Sequence, residues 1–278
     1  MKNNFKMLVL DLDGTLLNSQ KKIEESTIKV LRDLIEKGYF VVFASGRRKE
    51  NLIGYVNSLY RKSDRKGGFI CCDGCYIYNL QDELIHQADL LSGRDAYNLW
   101  NAMRNNILSF ACYTAEHDYV VSSGLTRVKS CIKSLIRKPH SSRTERIGIS
   151  SIVDLEDIEK IVIHRKGEFI DEECLSFSES YNVVKMSSNR IEIQHKGVNK
   201  FYAVNYLRQI LGIEMEEICF IGDDENDRCM FESECFSVAM GNASDKLKNL
   251  ANIVIDNNDN HGVEKYIYSH IIRGVENE

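Results

Sequence analysis

The sequence has 278 residues, 43% of them hydrophobic and 28% charged, and carries a formal net charge of −5. That composition belongs to a folded globular chain of one large or two ordinary domains and argues against disorder. A pI near 5.9 argues against nonspecific binding to nucleic acid or to an anionic membrane surface.

The apolar run Met7–Leu10 is interrupted by Asp11 and Asp13, so it lacks the length of a signal-peptide core, and no stretch approaches the ~20 apolar residues of a membrane span. The nine cysteines are an odd count. They read as reduced thiols, which predicts a cytoplasmic protein. Cys71, Cys72 and Cys75 form a C-C-x-x-C cluster without the second ligand pair of a zinc site, and they read as strand and turn residues.

The first third alternates strand and helix. Residues 6–10 are an apolar run of strand length. Over 25–37, Ile28, Leu31, Leu34 and Ile35 share one helical face, and Gly38 follows as a stop. Residues 39–44 read as a buried strand, 49–59 as a helix and 69–72 as a third strand. This order predicts a parallel sheet with helices on both faces. Asp73-Gly74 then signals a hairpin into 75–78.

The middle of the chain changes rhythm. Short strands are expected near 83–87, 107–113, 119–122, 161–164, 181–186 and 190–194, and a helix at 95–106. A helical stripe runs through Leu125, Val128, Ile132, Leu135 and Ile136, ending before Pro139. Residues 140–146 read as a loop. The alternation resumes after Gly197, with a helix at 199–211 and strands at 218–221, 236–240 and 253–255. The fold class is therefore α/β: a Rossmann-like parallel-sheet core, 1–82 and 188–278, with an inserted α+β domain at 83–187. The connections at 80–83 and 187–190 are hinge candidates.

Two acidic clusters follow strands. Asp11-Leu12-Asp13-Gly14-Thr15-Leu16 comes at the end of the first strand, where open parallel sheets bind ligands. Residues two apart at a strand end point to the same side, so Asp11 and Asp13 reach one centre. Gly222-Asp223-Asp224-Glu225-Asn226-Asp227 holds four carboxylates in five residues. These repel unless a cation neutralises them, and hard oxygen ligands beside a phosphate favour Mg²⁺; a solvated acidic turn at a helix start is the competing reading. Ser45-Gly46-Arg47 lies between a strand and a helix, where a hydroxyl and backbone N–H groups hold phosphoryl oxygens. Lys200 opens a helix, and its ammonium suits a phosphate.

In combination DLDGTL, ASGR, the lysine of GVNK, GDDENDRCM and the tail VAMGNASDKLKNLANIVIDNNDNHGVEKYI resemble the haloacid dehalogenase superfamily, in its Cof-like branch. The resemblance spans nearly the whole chain. It implies that the insert is a cap and that Asp11 is a nucleophile forming an aspartyl-phosphate. It implies that Asp13 protonates the leaving group and then activates water. Asp11, the Asp13 carbonyl and Asp223 would bind Mg²⁺. Ser45, Gly46, Lys200 and Asn226 would bind the phosphoryl group with Asp11, while Asp227 and Arg47 would support this arrangement. The implied activity is hydrolysis of a small phosphorylated metabolite of the sugar phosphate, FMN or pyridoxal phosphate type. A phosphomutase on the same scaffold and a non-catalytic metabolite-binding regulator are the alternatives. No nucleic acid or membrane partner is expected, and the oligomeric state is open. The chain departs from the family pattern at Asp73-Gly74-Cys75, where asparagine-glycine-alanine is common. It departs again at Phe201, where glycine is common, and at Asn260-His261-Gly262, where glutamate-aspartate-glycine is common.

Overall fold

The computed structural model describes residues 5–61, 67–121 and 143–272. Strand β1 (Met7–Leu10), helix α1 (Glu25–Glu36), β2 (Phe40–Ala44), α2 (Lys49–Leu59) and β3 (Gly67–Cys71) realise the expected alternation. β4 (Tyr76–Asn79) and β5 (Leu84–Gln87) follow, then α3 (Gly93–Met103), β6 (Ile107–Tyr113), β7 (His117–Val121), β8 (Arg143–Ile147) and β9 (Lys160–Arg165). Next come α4 (Asp171–Ser178), β10 (Tyr181–Ser187), β11 (Arg190–His195), α5 (Lys200–Leu211) and β12 (Ile218–Gly222). The described chain closes with α6 (Arg228–Phe231), β13 (Phe236–Ala239), α7 (Asp245–Lys248), β14 (Ile253–Val254) and α8 (Gly262–Tyr266), the last continuing as a wider helical turn over Ile267–Ile272.

The chain divides into two compact units, residues 1–88 with 199–278 and residues 89–198. In the first, an eight-stranded sheet runs in the order β14-β13-β12-β1-β2-β3-β4-β5. The pairs from β14 through β3 are parallel, and the β3–β4 and β4–β5 pairs are antiparallel. β1 lies between β2 and β12, with Met7 opposite both Phe40 and Ile218. The chain winds outward from β1 in both directions, so the carboxyl end of β1 is the topological switch point where such sheets form their crevice. All four β1 residues are buried, as expected for a strand covered by helices on both faces. Each large apolar side chain removed from water there contributes roughly 1.5–3 kcal/mol.

In the second unit a six-stranded sheet has the order β10-β11-β9-β6-β7-β8. Its pairs are antiparallel except β7–β8, which is parallel. Phe110, Cys112, Ile161, Ile163, Ile191 and Ile193 alternate onto one face and pack with Leu99 and Trp100 of α3. This is the α+β insert expected from the change of rhythm.

The borders differ from the expected 82/83 and 187/188. Those positions fall in the hairpin turns β4–β5 and β10–β11, whose strands pair directly. Residues 80–83 and 187–190 are therefore turns inside sheets rather than linkers. Residues 143–146 belong to β8 rather than to a loop; their polar side chains hide a strand whose ladder to β7 is nonetheless complete. Helix α4 was not expected, because its segment buries no residue and so lacks an apolar stripe. The stripe from Leu125 to Ile136 and Pro139 lie outside the described residues. Among the described residues no helix is long and apolar enough to cross a membrane.

Candidate active site

The parallel ladder continues one residue past β1, where the Asp11 N–H donates to the Ile221 carbonyl at 3.0 Å. Asp11 is thereby anchored to the neighbouring strand, and its side chain is buried. One carboxylate oxygen accepts from the Lys200 ammonium at 2.5 Å, and the same ammonium donates to Asp227 Oδ1 at 2.6 Å. Lys200 is fully buried in the first turn of α5, whose N-cap Asn199 accepts from the Tyr202 N–H at 2.8 Å. The other Asp227 oxygen accepts from the N–H groups of Asp223 and Asp224 at 2.9 and 3.1 Å. Asp227 is thus consumed in holding Lys200 and shaping the loop after β12.

Asp223 has a different role in the same loop. Its carboxylate accepts from Thr15 Oγ1 at 2.7 Å and from Asn242 Nδ2 at 3.0 Å, and Asn242 also donates to the Gly14 carbonyl at 2.9 Å. Gly14 has φ +90°, and a Cβ there would lie 2.2 Å from Asp223 Oδ2. Only glycine allows both the left-handed turn and this approach. Asp11, Asp223 and Asp227 offer oxygens within 4.8 Å of one another. Like charges this close repel by on the order of 4 kcal/mol per pair at an effective dielectric of 20. Burial pushes the Asp223 carboxyl up to about 7, and Asp227 and Asp224 add to this against the Thr15 hydrogen bond. Burial also raises the Asp11 carboxyl, against the pull of Lys200. Burial disfavours the Lys200 ammonium, yet Asp11 and Asp227 hold its pKa well above the ordinary value.

One ammonium faces three carboxylates, and the donors are hard oxygens. This is the charge and chemistry that a divalent cation such as Mg²⁺ satisfies. Asp227 spends both oxygens on Lys200 and backbone N–H groups, whereas Asp11 gives one oxygen to Lys200 and Asp223 accepts only from the neutral donors Thr15 and Asn242.

The Asp13 carboxylate lies outside this cluster. It accepts from Arg47 Nε at 2.5 Å, Arg47 Nη2 at 2.7 Å and Lys21 Nζ at 2.7 Å. Burial alone would raise its pKa, but the hydrogen bonds and charges of Arg47 and Lys21 prevail and hold it at about 2. Arg47 therefore grips Asp13 directly. Ser45 is buried, its N–H extends the ladder to the Ile70 carbonyl at 3.0 Å, and its hydroxyl accepts from the Arg47 N–H at 3.2 Å. Asn226 donates from Nδ2 to Asp73 Oδ1 at 2.7 Å.

The structure thus draws Asp11, Lys200, Asp223 and Asp227 together and leaves Asp13 on a separate pair of cations. Thr15, Lys21 and Asn242 were not assigned roles from the sequence, and Asp73 was singled out there only as a turn residue and a departure from the family pattern. Thr15 sits within the DLDGTL motif, and Asn242 within the tail motif, so position beside a motif was the signal available for both. Lys21 had none, because it lies in an irregular segment where a lysine is ordinary. The tail departure Asn260-His261-Gly262 lies in a tight turn: the Asn260 N–H donates to Asn257 Oδ1 at 2.8 Å, His261 has φ +56°, and a Cβ on Gly262 would lie 2.2 Å from the Asp256 carbonyl oxygen. Phe201 packs against the core. Cys71, Cys72 and Cys75 are buried in β3 and the turn that follows it.

The family profile of haloacid dehalogenase-like hydrolases matches residues 8–267. The chain is 26% identical to the pyridoxal phosphate phosphatase YbhA of Escherichia coli, over 96% of this chain and 99% of that protein. It is 27% identical to the chloroplastic endoribonuclease YBEY of Arabidopsis thaliana over 96% of this chain, but spans only 47% of that longer protein. A haloacid dehalogenase-like hydrolase structure from Bacteroides thetaiotaomicron superposes with a TM-score of 0.72 at 26% identity, covering 95% of this chain and 98% of that one. With the profile covering nearly all of the described fold, the chain belongs to the haloacid dehalogenase-like hydrolases, as an enzyme of the phosphoric monoester hydrolase class.

Proposed function

We propose that the protein is a Mg²⁺-dependent phosphatase of small phosphorylated metabolites that works through an aspartyl-phosphate on Asp11. The observation that carries this reading is the buried Asp11–Lys200–Asp227 chain with Asp223 beside it at the end of β1. Asp11 is fixed in place by Lys200, so its carboxylate is oriented for attack on phosphorus. Asp11 and Asp223, with the Asp13 carbonyl, would hold Mg²⁺, which as a Lewis acid supplies charge stabilisation to the phosphoryl oxygens. Ser45, the Gly46 N–H, Lys200 and Asn226 bind those oxygens.

Attack by Asp11 breaks the ester bond, and the leaving oxygen takes a proton from Asp13. A water then attacks the aspartyl-phosphate, gives its proton to Asp13 and releases phosphate and the Asp11 carboxylate. With its pKa held at about 2, Asp13 is ionised at neutral pH while Arg47 and Lys21 grip it. It becomes an acid only when those pairs open, so their opening belongs to the catalytic cycle. The inserted unit, residues 89–198, selects the substrate as a cap. Its second border lies between Val198 and Asn199, one residue before Lys200.

The test is release of p-nitrophenol from p-nitrophenyl phosphate with Mg²⁺ and with EDTA, followed by a screen of sugar phosphates, FMN and pyridoxal phosphate by phosphate release. Activity should vanish in EDTA and return with Mg²⁺, and Asp11→Asn should abolish it. Full activity of a metal-free sample, or of Asp11→Asn, would sink this mechanism. Substitutions in residues 89–198 should reorder the metabolites while sparing the generic ester.

A further inference from the structure

Asp73 is a buried carboxylate that none of the chemical steps above uses. It lies in the short turn Cys72–Gly74 between β3 and β4 and has φ +53°. That turn touches three elements of the phosphate site. The Asp73 N–H donates to the Ser45 carbonyl at 3.0 Å, and the Cys72 N–H donates to the Arg47 carbonyl at 2.9 Å. A Cβ on Gly46 would lie 2.7 Å from Asp73 Oδ2, so the carboxylate rests against the phosphate loop. A Cβ on Gly74 would lie 2.2 Å from the carbonyl of Asn199, the N-cap of the helix that begins with Lys200. Asp73 Oδ1 accepts from Asn226 at 2.7 Å. The carboxylate also adds to the negative charge around Lys200.

We infer that Asp73 sets the affinity of the site for the phosphoryl group: it holds Asn226 in position and opposes the oxyanion with its own charge. The inference rests on the phosphate-binding roles given to Ser45, Gly46, Lys200 and Asn226. The two actions have opposite signs. Holding Asn226 through Oδ1 keeps one amide aligned and so favours binding. A buried carboxylate packed on Gly46 repels the same dianion that the loop receives. A phosphatase gains from this opposition, because inorganic phosphate, its own product, must leave before the next turnover.

Two substitutions separate the actions. Asp73→Asn keeps an oxygen that accepts from Asn226 and removes the charge, and asparagine tolerates a positive φ as aspartate does. Asp73→Gly removes charge and acceptor together, and glycine fits the same backbone conformation. The measurement is the Kd of inorganic phosphate for each Mg²⁺-loaded protein by titration calorimetry, which needs no turnover. Asp73→Asn should bind phosphate roughly tenfold more tightly than the parent, a change of about 1.4 kcal/mol. The KM for p-nitrophenyl phosphate should fall in parallel. Asp73→Gly should bind more weakly than Asp73→Asn, because Asn226 is released. A purely structural role predicts weaker binding in both. Equal or weaker phosphate binding by Asp73→Asn, with the parent binding normally, overturns the inference alone. Equal binding by Asp73→Gly and Asp73→Asn overturns the part assigned to Asn226. Absence of phosphate binding by every protein overturns both this inference and the phosphatase reading beneath it.

Discussion

Two ion-pair groups flank the end of β1, and they differ in what surrounds them. Lys200, Asp11 and Asp227 are fully or almost fully buried, with side-chain exposures of 0%, 7% and 0%. Asp13, Lys21 and Arg47 form an equally short-bonded group, but Asp13 and Lys21 are 41% and 46% exposed. Similar donors and acceptors therefore have different consequences. In the buried group each charge depends on its partners, since removing one strands another without water. In the exposed group water takes over when a pair breaks, so the pairs open at small cost. The buried group suits a fixed nucleophile, and the exposed group suits a proton carrier that must move.

Asp13→Asn should break the proton-carrying side of this division most strongly. It leaves the shape intact but removes acid–base transfer, and turnover of a poor leaving group should fall by roughly 10²–10⁴-fold. The loss should be smaller for p-nitrophenyl phosphate, whose leaving group needs less help from a proton. Steady-state kinetics on the two ester types would check this, and equal losses on both would contradict the acid role.

Lys200→Met tests the buried side. It leaves Asp11 and Asp227 facing each other with no cation, and breaking a buried pair in this way costs on the order of 3–5 kcal/mol. Thermal or urea unfolding of the metal-free protein should show this loss. A midpoint unchanged from the parent would mean that the carboxylates take up protons without penalty.

The pH dependence of stability sharpens the contrast. The Asp223 carboxyl titrates near 7 in the folded metal-free protein, above its usual value of 3.8. Between those pH values the folded state holds a proton that the unfolded state has lost. Stability from this group is therefore highest below about pH 4, falls as pH rises, and levels off above about 7. Asp13 works in the opposite sense: its pKa of about 2 adds stability above the usual carboxylate range, which is lost as pH falls toward 2. In EDTA the melting temperature should therefore drop between pH 5 and 7.5, and the rise on adding Mg²⁺ should grow over the same window. A Mg²⁺ effect independent of pH would show that Asp223 is not among the groups the metal neutralises.

Lys21→Ala should have the smallest effect. An exposed pair of this kind is worth about 0.2–1 kcal/mol, and Arg47 still holds Asp13. Unfolding midpoints should shift little. Because Asp13 then has one grip fewer, the acid limb of the kcat profile should move toward higher pH.

Local patterns were sufficient to locate β1, β2, β3 and β12, because strands covered on both faces read as short apolar runs. They were also sufficient to nominate Asp11, Asp223 and Lys200, because each stands where a strand ends or a helix begins. The borders of the inserted unit were not legible. A strand such as β11 joins whichever sheet offers it a partner, and pairing with β9 depends on residues far away in the chain. Helix α4 and strand β8 were hidden for a related reason, since neither carries the apolar periodicity that marks an element from sequence alone. At the site, the sequence determined which charged groups exist and where along the chain they fall. Only the tertiary structure decided that Asp227 belongs to Lys200, that Asp13 belongs to Arg47 and Lys21, and that Asp73 rests against Gly46. Asp227 and Lys200 stand 27 positions apart and Asp13 and Arg47 34 apart, whereas Lys21 is only 8 from Asp13 and meets it through the irregular segment between β1 and α1. These pairings follow from which loops meet at the carboxyl ends of the parallel strands, and from how much water each meeting point excludes.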